Sequence, residues 1–168
     1  CYCEPVPNED LGNELPVEIV KELSAYDVAI RFGFGILVGD ALEAPKHGIL
    51  SFHHGDFRKY RGRPAGFWEF IEGNPTAGGT LQRLNETLDG GEIVVFKSID
   101  ITSKPSWPAV MATLLSESRS MLAEGVETLT DPNKKPKALD NLGELYLAPG
   151  WRDLGVYIMR RIQRSLRS

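Results

Sequence analysis

The chain has 168 residues, a length typical of one domain and sufficient to bury a core. Its 19 Lys and Arg against 23 Asp and Glu give a net charge of -4, which excludes bulk attraction to nucleic acid or to an anionic membrane. Apolar residues make up 42%, no apolar run approaches the roughly 20 residues of a bilayer span, and the cysteines are Cys1 and Cys3, so we expect a cytoplasmic globular protein.

In chain order, hydrophobic periodicity predicts alternating strands and helices. The proline-rich start offers at most the end of a strand at residues 2–4. The predicted helices cover residues 14–24, 38–42, 64–71, 105–129 and 151–168. The predicted strands cover residues 26–32, 48–53, 79–84 and 92–99. The strand, helix and strand between residues 26 and 53 are typical of a parallel βαβ unit, in which ligands bind beyond the carboxyl ends of the strands.

Three polar residues near the predicted strand ends are candidates for chemistry. Ser51 and His53 share one face of their strand, because side chains alternate along it. A His at the carboxyl end of a parallel strand suits general acid–base work, and a hydrogen-bonded structural His is the alternative. Asp89 stands before two glycines, where a carboxylate also caps a tight turn.

A basic loop lies between these residues at positions 58–63, with four cations in six residues. Guanidinium groups at Arg61 and Arg63 suit a phosphate or a carboxylate, while a solvated surface turn is the alternative. His53 and His54 are adjacent, and no Cys, His or Asp cluster surrounds them at ligand spacing. We therefore expect no metal site.

Several short motifs follow one another in order through the middle of the chain. They are Phe32-Gly33-Phe34-Gly35-Ile36-Leu37, Gly48-Ile49-Leu50-Ser51-Phe52-His53, Tyr60-Arg61-Gly62, Gly78-Gly79-Thr80 and Leu88-Asp89-Gly90-Gly91. This ordered set resembles the 10-formyltetrahydrofolate-dependent formyltransferase family, which includes methionyl-tRNA, glycinamide ribonucleotide and sugar N-formyltransferases. The separation of 36 residues between His53 and Asp89 is also similar to the family's, and the resemblance covers about residues 26–97.

The resemblance implies an α/β, Rossmann-like formyltransferase fold with a mostly parallel sheet flanked by helices. It also implies transfer of a formyl group from 10-formyltetrahydrofolate to an amine. His53 would lie beside the oxygen of the tetrahedral intermediate, and Asp89 would pair with His53 or relay protons. A carboxylate near an imidazole raises the imidazole pKa, which suits this role.

Ser51 departs from the family pattern, because the family has an Asn there that donates a hydrogen bond. A Ser hydroxyl also donates but reaches about one bond less far, so we assign Ser51 to a slower or differently assembled catalytic site. The resemblance further implies that the pterin of the folate lies between two segments. The residues assigned to it are Phe34, Gly35, Ile36, Leu37, Thr87 and Leu88.

The acceptor implied is a small amine, because residues after 129 lack the strand pattern of the second β-domain found in the family's tRNA enzyme. We expect an amino sugar attached to a nucleotide, with Arg61 and Arg63 near its phosphates, and neither nucleic-acid binding nor stable membrane association. One alternative is hydrolysis of the same folate. Another is a catalytically idle homologue that binds folate or a nucleotide, which the Ser51 departure favours.

The resemblance also suggests how the chain is organised. We expect residues 1–129 to form the later part of a catalytic domain, 130–137 a linker and 138–168 a helical tail. Only 25 residues precede position 26, fewer than in the family, so the first strands of the sheet are expected to be absent. The sheet edge left open would pair with a second copy to form a homo-oligomer, and residues 1–168 alone would have weak or no activity.

Overall fold

The computed structural model describes residues 2–8, 12–139 and 141–166. Its strands are β1 (Val6–Pro7), β2 (Asn13–Glu14), β3 (Ala29–Arg31), β4 (Ile49–His53), β5 (Tyr60–Gly62), β6 (Thr76–Arg83), β7 (Glu92–Asp100) and β8 (Glu144–Tyr146). Its helices are α1 (Val17–Leu23), α2 (Phe67–Glu72), α3 (Trp107–Thr130) and α4 (Trp151–Ser165), with a 3₁₀ turn at Asp40–Leu42. Within these described ranges, no helix has both the length and the apolar character needed to cross a bilayer.

The central sheet has four strands in the order β3-β4-β6-β7. Strands β3 and β4 are parallel and joined through the 3₁₀ turn, which confirms the predicted strand, helix and strand. Strand β6 is antiparallel to both β4 and β7, so the expectation of a mostly parallel sheet does not hold for the described strands. The β6–β7 connection is residues 84–91, which is shorter than the dozen or so residues that a parallel crossover needs.

Helix α3 covers one face of this sheet with a stripe of apolar residues. Val110, Leu114 and Met121 recur at helical spacing and are fully buried. At Gly125 the helix backbone comes so close to the sheet that an added Cβ would lie 2.3 Å from Leu81 Cδ2. The predicted helix at 105–129 is therefore confirmed, and its glycine marks the point of closest approach.

Helix α4 packs on the domain differently from its sequence pattern. The pattern places Leu154, Tyr157, Ile158 and Ile162 on one face, but only Tyr157 reaches the core, against Phe67 and Phe70 of α2. Ile158 and Ile162 remain 57% and 55% exposed. The inward face instead carries two arginines whose guanidinium groups donate to backbone carbonyls. These are Arg160 to Ile71 and Arg164 to Ile101.

Two short pairings were absent from the sequence prediction. Strand β8 pairs parallel with β5, so the expected helical tail at 138–168 also contains a strand that joins it to the domain. Residues 2–4 form no strand, and the first ladder is instead β1 with β2. Strands of two or three residues carry too few side chains for a periodic pattern, which is why the sequence did not indicate them.

Candidate active site

His53 is held at the carboxyl end of β4, where its side chain is only 8% exposed. Its Nδ1 lies 3.4 Å from Asp89 Oδ1, and its Nε2 lies 3.1 Å from the Tyr60 carbonyl oxygen. Gly55 makes room for the ring, because a Cβ there would lie 2.8 Å from His53 Nε2. Both ring nitrogens therefore face acceptors, an arrangement that favours the doubly protonated imidazolium.

Asp89 is fixed by the loop between β6 and β7. Its φ of 46° lies in the left-handed region, which Asp tolerates better than most residues. Its Oδ2 accepts the Gly62 backbone N–H at 2.9 Å, and Arg61 Nη2 donates to the neighbouring Leu88 carbonyl at 2.7 Å. Asp89 thus joins the end of β4, strand β5 and the β6–β7 loop, and the structure brings together His53 and Asp89, two of the three polar residues that the sequence singled out.

The charges of this pair are mutually dependent. Burial alone lowers the pKa of His53, but Asp89, the Tyr60 carbonyl and the charge of Glu69 outweigh it, so the His53 pKa lies above its ordinary value. Burial alone raises the pKa of Asp89, but His53, the Gly62 N–H and Arg61 bring it below its ordinary value. Each partner thus favours the charged form of the other, an imidazolium beside a carboxylate.

Ser51 contacts a residue that the sequence analysis missed. In the β3–β4 register Arg31 lies opposite Ser51, and Arg31 Nη1 donates to Ser51 Oγ at 2.8 Å. Ser51 is 2% exposed and shares its strand face with His53. Burial lowers the pKa of Arg31, and the charge of Asp89 partly offsets that effect. The available signal was a lone arginine inside the apolar strand at residues 28–32.

Glu69 is a second residue that sequence reasoning missed. It lies on α2, is 2% exposed, and its Oε1 has no hydrogen-bond partner among the described residues. Burial, the largest cause, together with the charge of Asp56, raises its pKa to about 7, while His53 opposes the rise. The signal was a carboxylate between Trp68 and Phe70 in an otherwise apolar helical turn.

The segments assigned to the pterin border a small cavity of about 60 Å³ beside Asp89. Its lining includes Ile36, Leu37, Thr87, Leu88, Asp89 and Arg31. Phe34 packs on the apolar cluster of Leu37 and Leu42, and Gly35 turns the chain with φ of 73°, so neither lines this cavity. Apolar walls with a few polar groups suit a flat heterocycle. The volume, about that of two waters, is smaller than a bicyclic ring, and Leu88 at its border is 43% exposed.

A larger cavity of about 420 Å³ lies on the other side of Arg31. It is lined by Arg31, Ser51, Phe32, Gly33, Phe52, His54, Leu115, Ser118, Arg119 and Leu122. His54 faces this cavity and bonds Ser118 Oγ through Nε2 at 2.9 Å, away from the His53–Asp89 pair. Burial and the charge of His53 lower the pKa of His54. Arg31 is the one described residue that both linings share.

The basic loop is partly neutralised within the fold. Arg58 forms a two-pronged bond to Asp56, with Nε–Oδ1 at 2.6 Å and Nη2–Oδ2 at 2.8 Å. Arg61 Nη2 donates to the Leu88 carbonyl, while its buried Nε has no hydrogen-bond partner among the described residues. Arg63 is exposed, and its backbone bonds Tyr146 and the Trp68 side chain. In the described part of the chain, no three His, Cys, Asp or Glu side chains are grouped so as to hold a metal ion.

Comparison with known sequences gives a consistent set of relatives. A family model described as formyl transferase matches residues 8–126. Methionyl-tRNA formyltransferase of Thermodesulfovibrio yellowstonii is 28% identical over 148 residues, which cover 88% of this chain and 46% of that protein. The Deinococcus radiodurans enzyme of the same name is 28% identical over 117 residues, covering 68% of this chain and 36% of that protein. The chain thus spans less than half the length of these curated relatives.

Solved structures share the fold at lower identity. The N-formyltransferase of Helicobacter canadensis, in complex with folinic acid and dTDP-3-aminofucose, has a TM-score of 0.67 at 14% identity and covers 89% of this chain and 58% of its own. The formyltransferase PseJ of Anoxybacillus kamchatkensis, in complex with UDP-4,6-dideoxy-4-formamido-L-AltNAc and tetrahydrofolate, has a TM-score of 0.62 at 19% identity, covering 79% and 69%. The α/β, Rossmann-like fold expected from the sequence is confirmed.

Proposed function

Because the chain belongs to the formyl transferase family, we propose that its His53–Asp89 site transfers a formyl group from 10-formyltetrahydrofolate to the amine of a small acceptor. The observation that carries the proposal is the buried His53 ring, held between Asp89 and the Tyr60 carbonyl at a strand end. The cavity of Ile36, Leu37, Thr87 and Leu88 lies directly beside Asp89 and supports the donor side of the proposal.

The reaction requires the site to stabilise a negative charge on the formyl oxygen and to move one proton. The acceptor nitrogen forms a bond to the formyl carbon, and the carbonyl electron pair moves to oxygen. When the C=O bond forms again, the bond to N10 of the folate breaks, and the proton lost by the amine goes to N10. Asp89 favours the protonated form of His53, which offers a positive charge near the oxygen, while the Asp89 carboxylate accepts the proton lost by the amine and returns it to N10.

For the acceptor we propose a nucleotide-linked amino sugar. The Helicobacter and Anoxybacillus proteins are bound to sugar nucleotides, and exposed Arg63 lies next to the site loop at Gly62, where a phosphate would meet it. A methionyl-tRNA acceptor is the second candidate, because the curated relatives named above carry that activity in their names. Because the chain spans less than half of those proteins, direct assay has to identify the acceptor.

The test is product analysis with the purified protein, 10-formyltetrahydrofolate and either dTDP-3-aminofucose or methionyl-tRNA. We expect an N-formylated sugar nucleotide, detected by mass spectrometry, and formed only weakly when residues 1–168 act alone. Formate release in the absence of an amine would show that the site hydrolyses the folate. Folate binding without turnover would show that the protein is a catalytically idle homologue. Formylated methionyl-tRNA alone would overturn the acceptor, and neither binding nor turnover would overturn the function.

Substitution of the pair checks that the activity belongs to this site. His53→Gln removes the imidazolium and is expected to lower kcat roughly 100- to 10,000-fold, the usual contribution of a positioned acid–base group. His47→Gln is the matched control, since His47 lies on the connection before β4 and outside the site. Equal rates for both variants would contradict the assignment.

A further inference from the structure

Arg31 is a partly buried cation that lacks a close counter-ion. Its Nη1 donates to the neutral Ser51 hydroxyl, and no described carboxylate lies within the 4.0 Å of a salt bridge. Its buried Nε has no hydrogen-bond partner among the described residues. Burial of a guanidinium without a paired carboxylate costs stability, so such a residue is expected to serve a ligand.

The position of Arg31 is as informative as its charge. It lies opposite Ser51 on the neighbouring strand, and Ser51 shares its strand face with His53, two residues further on. It borders the cavity beside Asp89 and also the larger cavity next to Ser51. The guanidinium therefore stands at the junction of the two spaces, close to the His53–Asp89 pair.

The donors that adjoin Asp89 and the His53 ring are already committed. The two nitrogens of His53 face Asp89 and the Tyr60 carbonyl, and the Gly62 N–H donates to Asp89. A guanidinium has five N–H donors, and one contact with Ser51 leaves most of them for a ligand. Arg61 Nε also lacks a partner among the described residues, but Arg61 lines neither cavity, so Arg31 is the cation bordering both that has donors left for a developing negative charge.

We propose that Arg31 is a catalytic residue whose guanidinium, oriented by Ser51, binds the formyl oxygen and stabilises its charge in the tetrahedral intermediate. This inference rests on the proposed formyl transfer. Arg31 keeps its protons throughout, because the proton released by the amine passes to N10 of the folate. Ser51 is then a positioning residue, and the Arg31–Ser51 pair supplies the hydrogen bond that the resembling family obtains from Asn.

The first test compares Arg31→Met with Arg152→Met, which removes the same charge from an exposed position on α4. Loss of one oxyanion donor is expected to lower kcat roughly 100- to 1,000-fold, with the KM for 10-formyltetrahydrofolate changed less than about threefold. Arg31→Lys is expected to restore part of the rate, because lysine returns the positive charge but not the planar geometry of the guanidinium donors. Arg31→Met with wild-type kcat, or with only KM altered, would overturn the proposal.

The second test uses binding, so it does not depend on turnover. Wild-type protein is expected to bind 10-formyl-5,8-dideazafolate several-fold more tightly than unformylated 5,8-dideazafolate, and Arg31→Met is expected to lose this preference. An unchanged preference would overturn the role of Arg31. If wild type binds neither compound, the proposed function fails instead, so the two failures are distinguishable. Thermal unfolding of each variant separates loss of the contact from loss of the fold.

A double-mutant cycle tests the positioning role of Ser51. Ser51→Ala alone is expected to lower kcat about tenfold, because the guanidinium loses its orienting acceptor. In the Arg31→Met background the same change is expected to have no further effect, whereas Ser51→Asn in that background returns a neutral donor and raises kcat. A Ser51→Ala effect of equal size in both backgrounds would show that Ser51 does not act through Arg31.

Discussion

Glu69 shows how one buried carboxyl group connects the stability of the fold with the charge of the site. Its side chain lies on α2, 2% exposed, and its charge contributes to raising the pKa of His53. Burial raises the Glu69 pKa itself to about 7, so near neutral pH its carboxyl group exchanges between two protonation states. The folded protein therefore holds a proton there that the unfolded chain releases at lower pH.

The titration of Glu69 makes the free energy of unfolding depend on pH in a definite direction. Between the ordinary glutamate pKa of 4.5 and the raised pKa of about 7, the folded state binds more protons than the unfolded state, so Glu69 lowers the free energy of unfolding as pH rises through that window. Glu69→Gln removes the titration, and its stability relative to wild type is expected to rise by up to about 3 kcal/mol between pH 4.5 and pH 8. Urea unfolding at both pH values measures it. An equal difference at the two pH values would contradict this account.

At the scale of elements, the contact between α3 and β6 depends on Gly125. An added methyl group would lie 2.3 Å from Leu81 Cδ2, and Leu81 is fully buried. Gly125→Ala is therefore expected to destabilise the protein by roughly 1–3 kcal/mol, the usual cost of overpacking, despite the better helix propensity of Ala. Denaturant unfolding provides the measurement.

Gly155 in α4 is the matched control for that substitution. A Cβ at Gly155 meets nothing within 4 Å, so Gly155→Ala gains helix propensity without a clash. It is expected to stabilise the protein by about 0.5–1 kcal/mol. Effects of the same sign at the two glycines would contradict the proposed packing of α3.

At the scale of the whole molecule, the long elements were predictable because their side chains repeat with the period of their structure. Helix α3 and strands β4, β6 and β7 bury apolar residues at regular spacing. The direction of strand pairing was less predictable, because the short connection between β6 and β7 determines it, and not the side-chain pattern of the strands. The inward face of α4 could be inferred only in part from apolar residues, because two arginines that donate to backbone carbonyls form it together with Tyr157.

The sequence predicted the site residues that lie in the ordered motifs. His53 and Asp89 are 36 residues apart in sequence, and the fold brings their charged groups to 3.4 Å. Arg31 and Glu69 were missed because each is a single charged residue in an apolar segment, and only tertiary structure shows what such a residue faces. The roles of Ser51, Arg61, Arg63 and the pterin residues stay predictions for experiment.

The proposed function requires formyl-folate to bind beside His53. The most direct measurement is the NMR spectrum of ¹⁵N-labelled histidine side chains during titration with 10-formyl-5,8-dideazafolate. We expect a saturable shift of the His53 ring nitrogens, while those of His47, before β4, stay unchanged. Unchanged His53 signals up to saturating ligand would contradict it.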